Sequence, residues 1–335
     1  MWEQEEAKGF AGVVGHQDIV HHLQNALLTD TTSHAYIIAG ETGSGKRFLS
    51  SVFAMALQCE KHGVEPCLTC SSCRRALSGN HPDIHYVVHE KISSISVDEI
   101  REQVVNEVSI RPYESRHKIY IIEDASKMTP QAQNAMLKTL EEPPAYAVIM
   151  LLADNVDALL PTIVSRCSVL TLGPVPDREI RNYLMKQMHV PDYQAEIEAS
   201  FAHGNIGRAR MIAQTSEFLE MPENALNQMK VSKQADVSEM VETVKKLSAE
   251  KKNINDYLDI YTMWFRDVLL FKATAEVDSL IFREEISAIR ARAAESSYEG
   301  LEKILSAIRH AGERLRANVN FDLTLELLFL TIKEN

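Results

Sequence analysis

Short apolar runs recur through the first 170 or so residues, and amphipathic stretches separate them. Each run is rich in β-branched or aromatic residues, which is typical of a buried strand. Alternation of such strands with helices predicts a parallel sheet that carries helices on both faces. The predicted strands are Ala35–Ala39, Ile84–Val88, Lys118–Ile122, Ala147–Leu152 and Ser168–Leu172, and the predicted helices cover about 16–28, 46–58, 97–108 and 130–142.

The pattern changes after the last of these strands. The segment Gly173–Pro176 reads Gly-Pro-Val-Pro, which breaks regular structure, and no strand signal follows it. Residues 175–214 are predicted to form a small helical unit, and residues 215–335 contain helical patterns only. In the last region apolar residues recur at helical spacing, as at Leu301, Ile304, Leu305 and Ile308.

Composition narrows the class of protein. The chain has 335 residues, with 45% hydrophobic and 24% charged, as in an ordinary soluble protein of two or three domains. No apolar run approaches the roughly 18 residues of a membrane helix, and Met1–Glu6 has no apolar core. We therefore expect a cytoplasmic protein without a membrane segment. The net charge of −12 implies that any contact with DNA is local or shared with partner chains.

A phosphate-binding loop is predicted directly after the first strand. Gly40, Gly43, Gly45 and Lys46 form the pattern G-x-x-x-x-G-K between a strand and a helix. Glycines allow backbone N–H groups to turn inward, and the helix N-terminus adds partial positive charge. Lys46 would reach the outer phosphates. The alternative is a glycine-rich turn kept for its shape, and the sequence leaves both possibilities open.

Two departures weaken the predicted nucleotide site. Arg47 stands where a Ser or Thr hydroxyl would hold Mg²⁺, and an arginine cannot ligate a cation. The strand 118–122 ends in Glu123 and Asp124, whereas an ATPase would have Asp followed by Glu at this point. Both residues remain carboxylates, but both departures predict weak or absent hydrolysis.

Four of the five cysteines are clustered, at Cys59, Cys67, Cys70 and Cys73. In a reducing cytosol such a cluster indicates metal ligands rather than disulfides. Four thiolates suit tetrahedral zinc, and C-x2-C spacing places two sulfurs on one ion. Because no histidine or carboxylate suggests an open position, the predicted zinc site is structural.

The cysteines have two other interpretations. They could be reduced thiols without a metal, although exposed free thiols are a liability. They could also belong to a zinc module that binds nucleic acid, which would need basic and aromatic residues nearby. Only Lys61, Arg74 and Arg75 lie there, so this sequence favours a structural role.

Several segments together resemble the AAA+ family of clamp-loader subunits. They are Phe10–His16, Ser33–Tyr36, Asn134–Pro144 and the Ser-Arg-Cys motif Ser165–Cys167, and an inserted four-cysteine module fits the bacterial members. The resemblance covers residues 10–210 well and the C-terminal helices only in general character.

The resemblance implies a three-part organisation. An AAA+ P-loop domain with a parallel sheet would cover residues 1–174, with the zinc module inserted at 59–73. A helical lid would follow at 175–214, and an all-α collar for oligomerisation at 215–335. Five such subunits form a hetero-pentameric ring in this family. The implied partners are gamma/tau and delta subunits, the sliding clamp, and primed DNA bound through the assembly.

The resemblance also implies a division of labour within DNA replication. ATP-hydrolysing gamma/tau subunits keep Gly-Lys-Ser/Thr and Asp-Glu, whereas the delta-prime type tends to lose them. Arg47 and the Glu123–Asp124 pair therefore favour the delta-prime type, with ATP and Mg²⁺ used by partner subunits. The alternative is a catalytically active gamma/tau-like ATPase with a divergent P-loop. The chain has no polymerase carboxylates, so any DNA-directed DNA polymerase activity would belong to the DNA polymerase III holoenzyme.

Arg166 is the residue to which the resemblance assigns a catalytic role. The arginine of Ser-Arg-Cys would act as an arginine finger in the ATP site of an adjacent gamma/tau subunit. A guanidinium there stabilises charge on the transferred phosphoryl group. The alternative is a helix-end arginine paired with a local carboxylate. The family's polar sensor falls on Ala153, with Asp154 next to it, and the lid motif appears in altered form at Gly204–Gly207.

Overall fold

The computed structural model describes residues 9–89, 91, 93–214, 217–233, 236–249, 251–317 and 319–335. The side chains of residues 217–220, 237, 249 and 252 are not described. The segment Met1–Glu6, which was used above for the prediction of localisation, lies outside these residues. The chain divides into two compact units. The first extends to Tyr183 and includes His203–Arg208, and the second contains Leu184–Ala202 and Ala209–Asn335. The three-part division stays a prediction.

The first unit is built on a sheet of five parallel strands in the order β2-β3-β4-β1-β5. The parallel sheet predicted from the sequence is confirmed, and each predicted strand is found within one residue of its expected bounds. The strands are β1 Ala35–Ala39, β2 Ile84–Val87, β3 Lys118–Ile122, β4 Ala147–Ala153 and β5 Ser168–Thr171.

Both faces of the three central strands, β1, β3 and β4, are buried, which explains why these strands read as continuous apolar runs. Successive side chains of a strand point to opposite faces. In β1, Ala35, Ile37 and Ala39 join one hydrophobic cluster, and Tyr36 and Ile38 join another. Helices cover the sheet on each side, as predicted.

The helices of the chain begin with α1 Gln17–Thr29 and α2 Lys46–Leu57, close to their predicted positions. The predicted helix over 97–108 is shorter. It is α-helical only at Val97–Ile100 (α4) and continues as a π-helical turn over Arg101–Val105, where Asn106 N–H donates to the Arg101 carbonyl at 2.9 Å. The other α-helices of the first unit are α3 Ser71–Leu77, α5 Pro130–Glu141 and α6 Pro161–Val164, and α7 Asp177–Gln187 begins in this unit.

The described part of the second unit is helical, as the sequence predicts. Its core surrounds the long helix α12, where Tyr261, Trp264 and Phe265 are fully buried. No helix within the described ranges is long and apolar enough to span a membrane. The helices are α8 Asp192–Ala202, α9 Ile206–Gln214, α10 Glu217–Val231, α11 Val237–Ala249, α12 Ile254–Thr274, α13 Ile286–Glu295, α14 Tyr298–Arg316 and α15 Phe321–Glu334.

Candidate functional site

The phosphate loop connects β1 to α2 with the backbone geometry that its glycines allow. Gly43 and Gly45 have φ angles of 91° and 98°, in the left-handed region that residues with a Cβ rarely adopt. Gly45 is the N-cap of α2, so Lys46 is the first residue of that helix. The local structure therefore matches the loop predicted from the sequence.

Lys46 is already bound to groups of its own chain. Its ammonium donates to the carbonyl oxygens of Gly40 and Glu41, the second at 3.0 Å, and to Asp154 Oδ1 at 2.8 Å. Thr42 Oγ1 donates to the same carboxylate oxygen at 3.2 Å. The hydrogen bond from Lys46 keeps the pKa of Asp154 below its usual value. An internal ion pair thus lies within the phosphate loop.

Arg47 and Glu123, two residues that differ from an ATPase sequence, form a second ion pair. Arg47 Nε lies 2.8 Å from Glu123 Oε1, and the guanidinium lies over the ring of Tyr86 at 5.9 Å from its centroid. Burial raises the pKa of Glu123, and Arg47 partly opposes this shift. The neighbouring Asp124 faces away to Lys127, whose Nζ lies 2.8 Å from Asp124 Oδ2. Both carboxylates after β3 are therefore paired with cations of the chain.

The segment His203–Arg208 of the first unit packs directly on the phosphate loop. Asn205 Nδ2 donates to the Thr42 carbonyl at 2.8 Å, and Gly207 N–H donates to the Gly43 carbonyl at 2.8 Å. A Cβ added to Gly207 would lie 2.7 Å from Gly43 Cα, so the two backbones can approach this closely only because residue 207 is a glycine. Asn205 through its side chain and Gly207 through its backbone therefore both contact the phosphate loop.

Arg166 lies between α6 and β5, with its side chain 35% exposed. Its Nη2 is 2.7 Å from Glu141 Oε1, at the end of α5, and its Nη1 donates to the Thr162 carbonyl at 2.8 Å. Nη1 also lies 3.2 Å from Ser165 Oγ. Arg166 thus forms the ion pair with a local carboxylate that the sequence offers as its alternative role. The pair leaves the guanidinium partly exposed at the surface of the unit.

Gln133 of α5 holds the connection that leads to Arg166. This side chain is buried, and its amide donates to the carbonyls of Met128 and Ala158 at 3.1 and 3.3 Å. Its Oε1 accepts from Leu160 N–H at 2.7 Å, immediately before α6. A buried amide that makes all of these hydrogen bonds holds the connection in place. Breaking one of them would leave a buried polar group without a partner, which costs free energy. The start of α6, the short helix that precedes Arg166, is therefore fixed from inside the unit.

The four clustered cysteines form the second candidate site. The sulfurs of Cys59, Cys67, Cys70 and Cys73 all lie within 4.8 Å of one another, and the Cys67 and Cys73 sulfurs are 4.0 Å apart. A tetrahedral ion with Zn–S bonds of about 2.3 Å would separate its sulfurs by about 3.8 Å. The cluster could therefore hold a metal ion such as zinc.

Backbone donors surround these sulfurs. Cys67 N–H donates to Cys59 Sγ at 3.4 Å, Cys70 N–H to Cys67 Sγ at 3.4 Å, and Cys73 N–H to Cys70 Sγ at 3.3 Å. The N–H groups of Thr69 and Cys70 lower the pKa of the Cys67 thiol to about 5. Donors aimed at sulfur favour the thiolate, the form that binds metal, at Cys67, whereas burial raises the pKa of Cys73.

The structure brings together the residues that the sequence grouped in each site, and it adds three that the sequence did not. Asp154, Glu141 and Asn205 are partners of Lys46, Arg166 and the loop, respectively. A signal for Asp154 was available, because it follows β4 as Gly40 follows β1, and adjacent parallel strands end at one edge.

Comparison with family models gives two matches. A model described as "DNA polymerase III, delta subunit" matches residues 15–176. A second, described as "DNA polymerase III, delta subunit, C terminal", matches residues 216–334. The two matches lie in the α/β region and in the C-terminal helices.

Individual relatives agree with these matches. The chain is 31% identical to DNA polymerase III subunit delta' of Bacillus subtilis (strain 168) over 316 residues, which is 93% of this chain and 94% of that protein. It is 30% identical to subunit tau of the same organism over 83% of this chain, and it spans about half of that protein (53%). A gamma subunit-related protein from Thermotoga maritima has a crystal structure with a TM-score of 0.45 and 22% identity, covering 94% of this chain and 98% of that one.

Proposed function

Because this chain belongs to the delta' family of DNA polymerase III clamp-loader subunits, we propose that it takes part in ATP-driven loading of the sliding clamp onto primed DNA. Within that assembly it supplies Arg166 to the ATP site of a neighbouring gamma/tau subunit. It does not hydrolyse ATP itself. Its partners are the gamma/tau and delta subunits in a five-membered ring, and DNA is bound by the assembly as a whole.

The absence of intrinsic hydrolysis is supported by the pairing of Arg47 with Glu123. An ATPase needs a hydroxyl and carboxylates free to handle Mg²⁺ and water at these positions. Here a guanidinium lies 2.8 Å from one carboxylate, and the other is 2.8 Å from Lys127 Nζ. Both charges that would support the metal are neutralised within the chain.

The role of Arg166 in trans is supported by its position at the surface of a unit whose own phosphate-loop lysine is paired with Asp154. A guanidinium that stabilises the transferred phosphoryl group can come from the same chain or from a neighbouring one, and only a surface arginine can serve a neighbour. Arg166 is 35% exposed and is held by Glu141 and the Thr162 carbonyl, so a partner site could receive it with little reorganisation. The combination of a partly exposed arginine and an internally paired phosphate-loop lysine is the observation that carries the proposal.

The second unit would join the ring through its C-terminal helix. Leu323, Leu327 and Leu330 are exposed on one face of α15, at spacings of four and three residues. An exposed apolar stripe of this kind marks a surface for another protein. The occupant that we propose is the corresponding helical region of a gamma/tau or delta subunit, since this chain resembles a tau subunit over 83% of its length.

The four-cysteine cluster would hold a structural zinc ion. The four sulfurs supply all four ligands of a closed tetrahedral site, and such a site contributes to folding rather than to a reaction. The bound ion would fix the turn between α2 and α3, because Cys59 directly follows the first helix and its cap, and Cys73 lies in the second.

The division of labour can be tested with a reconstituted assembly in which the phosphate-loop lysine of every gamma/tau subunit is replaced by alanine. ATP turnover is then measured with clamp and primed DNA. We expect turnover at background level, although this chain is intact. Turnover well above background would instead make this chain a gamma/tau-like ATPase with a divergent loop.

A further inference from the structure

The phosphate loop of this chain retains the parts that bind an anion. Gly43 and Gly45 have the left-handed conformations of such a loop, and the N-terminus of α2 begins at Lys46. The Lys46 side chain is only 12% exposed, so it is held within the loop rather than extended into water. Arg47 thus removes a Mg²⁺ ligand but leaves the anion-binding parts of the loop in place.

Lys46 has no donor left for a ligand in this conformation. An ammonium carries three N–H donors. The three acceptors are the carbonyls of Gly40 and Glu41 and the carboxylate of Asp154, with Nζ to Oδ1 at 2.8 Å. Two of these acceptors are neutral loop carbonyls, and the third supplies the negative charge that a phosphate would otherwise bring.

The fold places Asp154 at this point. Strands β1 and β4 are neighbours, with Ala39 opposite Ala153, so the residues that follow them lie side by side. Gly40 N–H donates to the Ala153 carbonyl at 3.1 Å, and Asp154 N–H donates to Ser126 Oγ at 2.9 Å. Both ends of the peptide group that precedes the carboxylate are therefore hydrogen-bonded.

We propose that Asp154 occupies, with its carboxylate, the place of the outer phosphates of a nucleoside di- or triphosphate, and that this internal anion keeps the loop from binding ATP. The inference deepens the proposed function, on which it rests, by naming the residue that closes the site. A phosphate entering the loop must displace the carboxylate from Lys46 and then lie beside it. Two negative groups at one cation repel each other strongly.

Asp154→Asn is the informative substitution, because it removes the charge and keeps an oxygen that can accept from Lys46 and Thr42. The Asp154 side chain is 48% exposed, so packing does not depend on it. Asp157→Asn is the matched control. Asp157 is exposed on the same connection, and its backbone N–H donates to Asn155 Oδ1 at 3.0 Å, a bond that the substitution leaves in place.

The experiment is a titration of the full chain with mant-ATP, followed by fluorescence anisotropy, for the wild type and each variant. We expect Asp154→Asn to lower the dissociation constant by about tenfold or more. Asp157→Asn should bind as the wild type does, and adding Lys46→Ala to Asp154→Asn should abolish the gain. Thermal unfolding establishes that each variant is folded, and Asp154→Ser replaces Asp154→Asn if that variant does not fold.

Equal affinity of wild type and Asp154→Asn would overturn the inference, and so would a gain that persists without Lys46. Such a result leaves the proposed function standing, because the titration uses the isolated chain and does not involve Arg166. Conversely, loss of the Arg166 effect in the assembly would leave the titration result unchanged.

Discussion

Arg166 and Glu141 form an ion pair, with 2.7 Å between Nη2 and Oε1, that joins the Ser-Arg-Cys motif to the end of α5. The pair holds the guanidinium in one orientation while leaving it partly exposed. An exposed pair of this kind contributes little to stability, roughly 0–1 kcal/mol. Its value in this chain lies in positioning.

Replacing Glu141 by glutamine should therefore affect the assembly more than the chain. We expect ATP turnover of the reconstituted clamp loader to fall about two- to fivefold, because Arg166 must be ordered again at each encounter. The Tm of the isolated chain should change little. Glu142→Gln, an exposed neighbour with the same change of charge, is the control. Equal turnover for the two variants would contradict a positioning role.

Replacing Cys70 by serine should remove the metal. We expect about one zinc per wild-type chain by elemental analysis, and little in the variant, because structural zinc needs four ligands. The Tm should fall by at least about 4 °C, since the ion stabilises the folded module. Cys167→Ser should retain zinc, because Cys167 lies outside the cluster. A wild-type chain purified without any metal would count against the site.

Asp267 should make the stability of the chain depend on pH. It is fully buried in α12, and burial raises its pKa to about 6, although Ile281 and Phe282 N–H groups donate to it. The folded state therefore binds a proton more readily than the unfolded state. The stabilisation is complete below pH 4 or so, and it is lost as the pH rises through 6.

The measurement is thermal unfolding at pH 5 and pH 7. On going from pH 7 to pH 5, the free energy of unfolding of the wild type should rise by about 1–3 kcal/mol more than that of Asp267→Asn, which cannot titrate. Asp278→Asn, a change at an exposed carboxylate of the same unit, should follow the wild type. An equal change in stability between pH 5 and pH 7 for Asp267→Asn and the wild type would show that this carboxylate does not titrate in that interval.

Leu327→Asp should prevent the chain from joining the ring. The leucine lies in the middle of the exposed stripe on α15, so an aspartate there would bury a charge in the proposed interface. The folding of the isolated chain should be nearly unaffected, because the side chain is already exposed. Light scattering after size-exclusion chromatography measures assembly. Leu28→Asp, at another exposed leucine, is the control, and normal assembly of Leu327→Asp would refute the interface.

The sequence predicted the sheet well because its strands are buried on both faces. Strands such as Ala35–Ala39 contain only apolar residues, and their bounds follow from where that run stops. The helix over 97–108 was less predictable. Its apolar spacing is helical throughout, but the hydrogen bond from Asn106 to Arg101 shifts the pattern to a π turn.

The sequence predicted the basic residues and the glycines of the site, but it did not predict their partners Asp154 and Asn205. Arg47 and Glu123 were recognised as departures from an ATPase, but their pairing depends on the side-chain geometry of two elements. Lys46 and Asp154 are separated by 108 residues along the chain, and only the adjacency of β1 and β4 brings them together. A pattern of apolar positions identifies strands but does not give their order in the sheet.

The central claim is that Arg166 acts on the ATP site of a partner subunit. The most direct test is ATP turnover by the reconstituted clamp loader with clamp and primed DNA, comparing wild type with Arg166→Ala. Arg178→Ala is the control, since Arg178 is exposed and follows β5 rather than preceding it. Size-exclusion chromatography establishes that each variant assembles.

We predict that Arg166→Ala lowers the rate of ATP hydrolysis at the site that it serves by about 10³-fold. The remaining turnover would then come from the other ATP sites of the ring. Arg166→Lys should recover only part of the loss, because an ammonium lacks the planar fork of donors. Arg178→Ala should match the wild type. Full turnover by an assembled ring that contains Arg166→Ala would contradict the account.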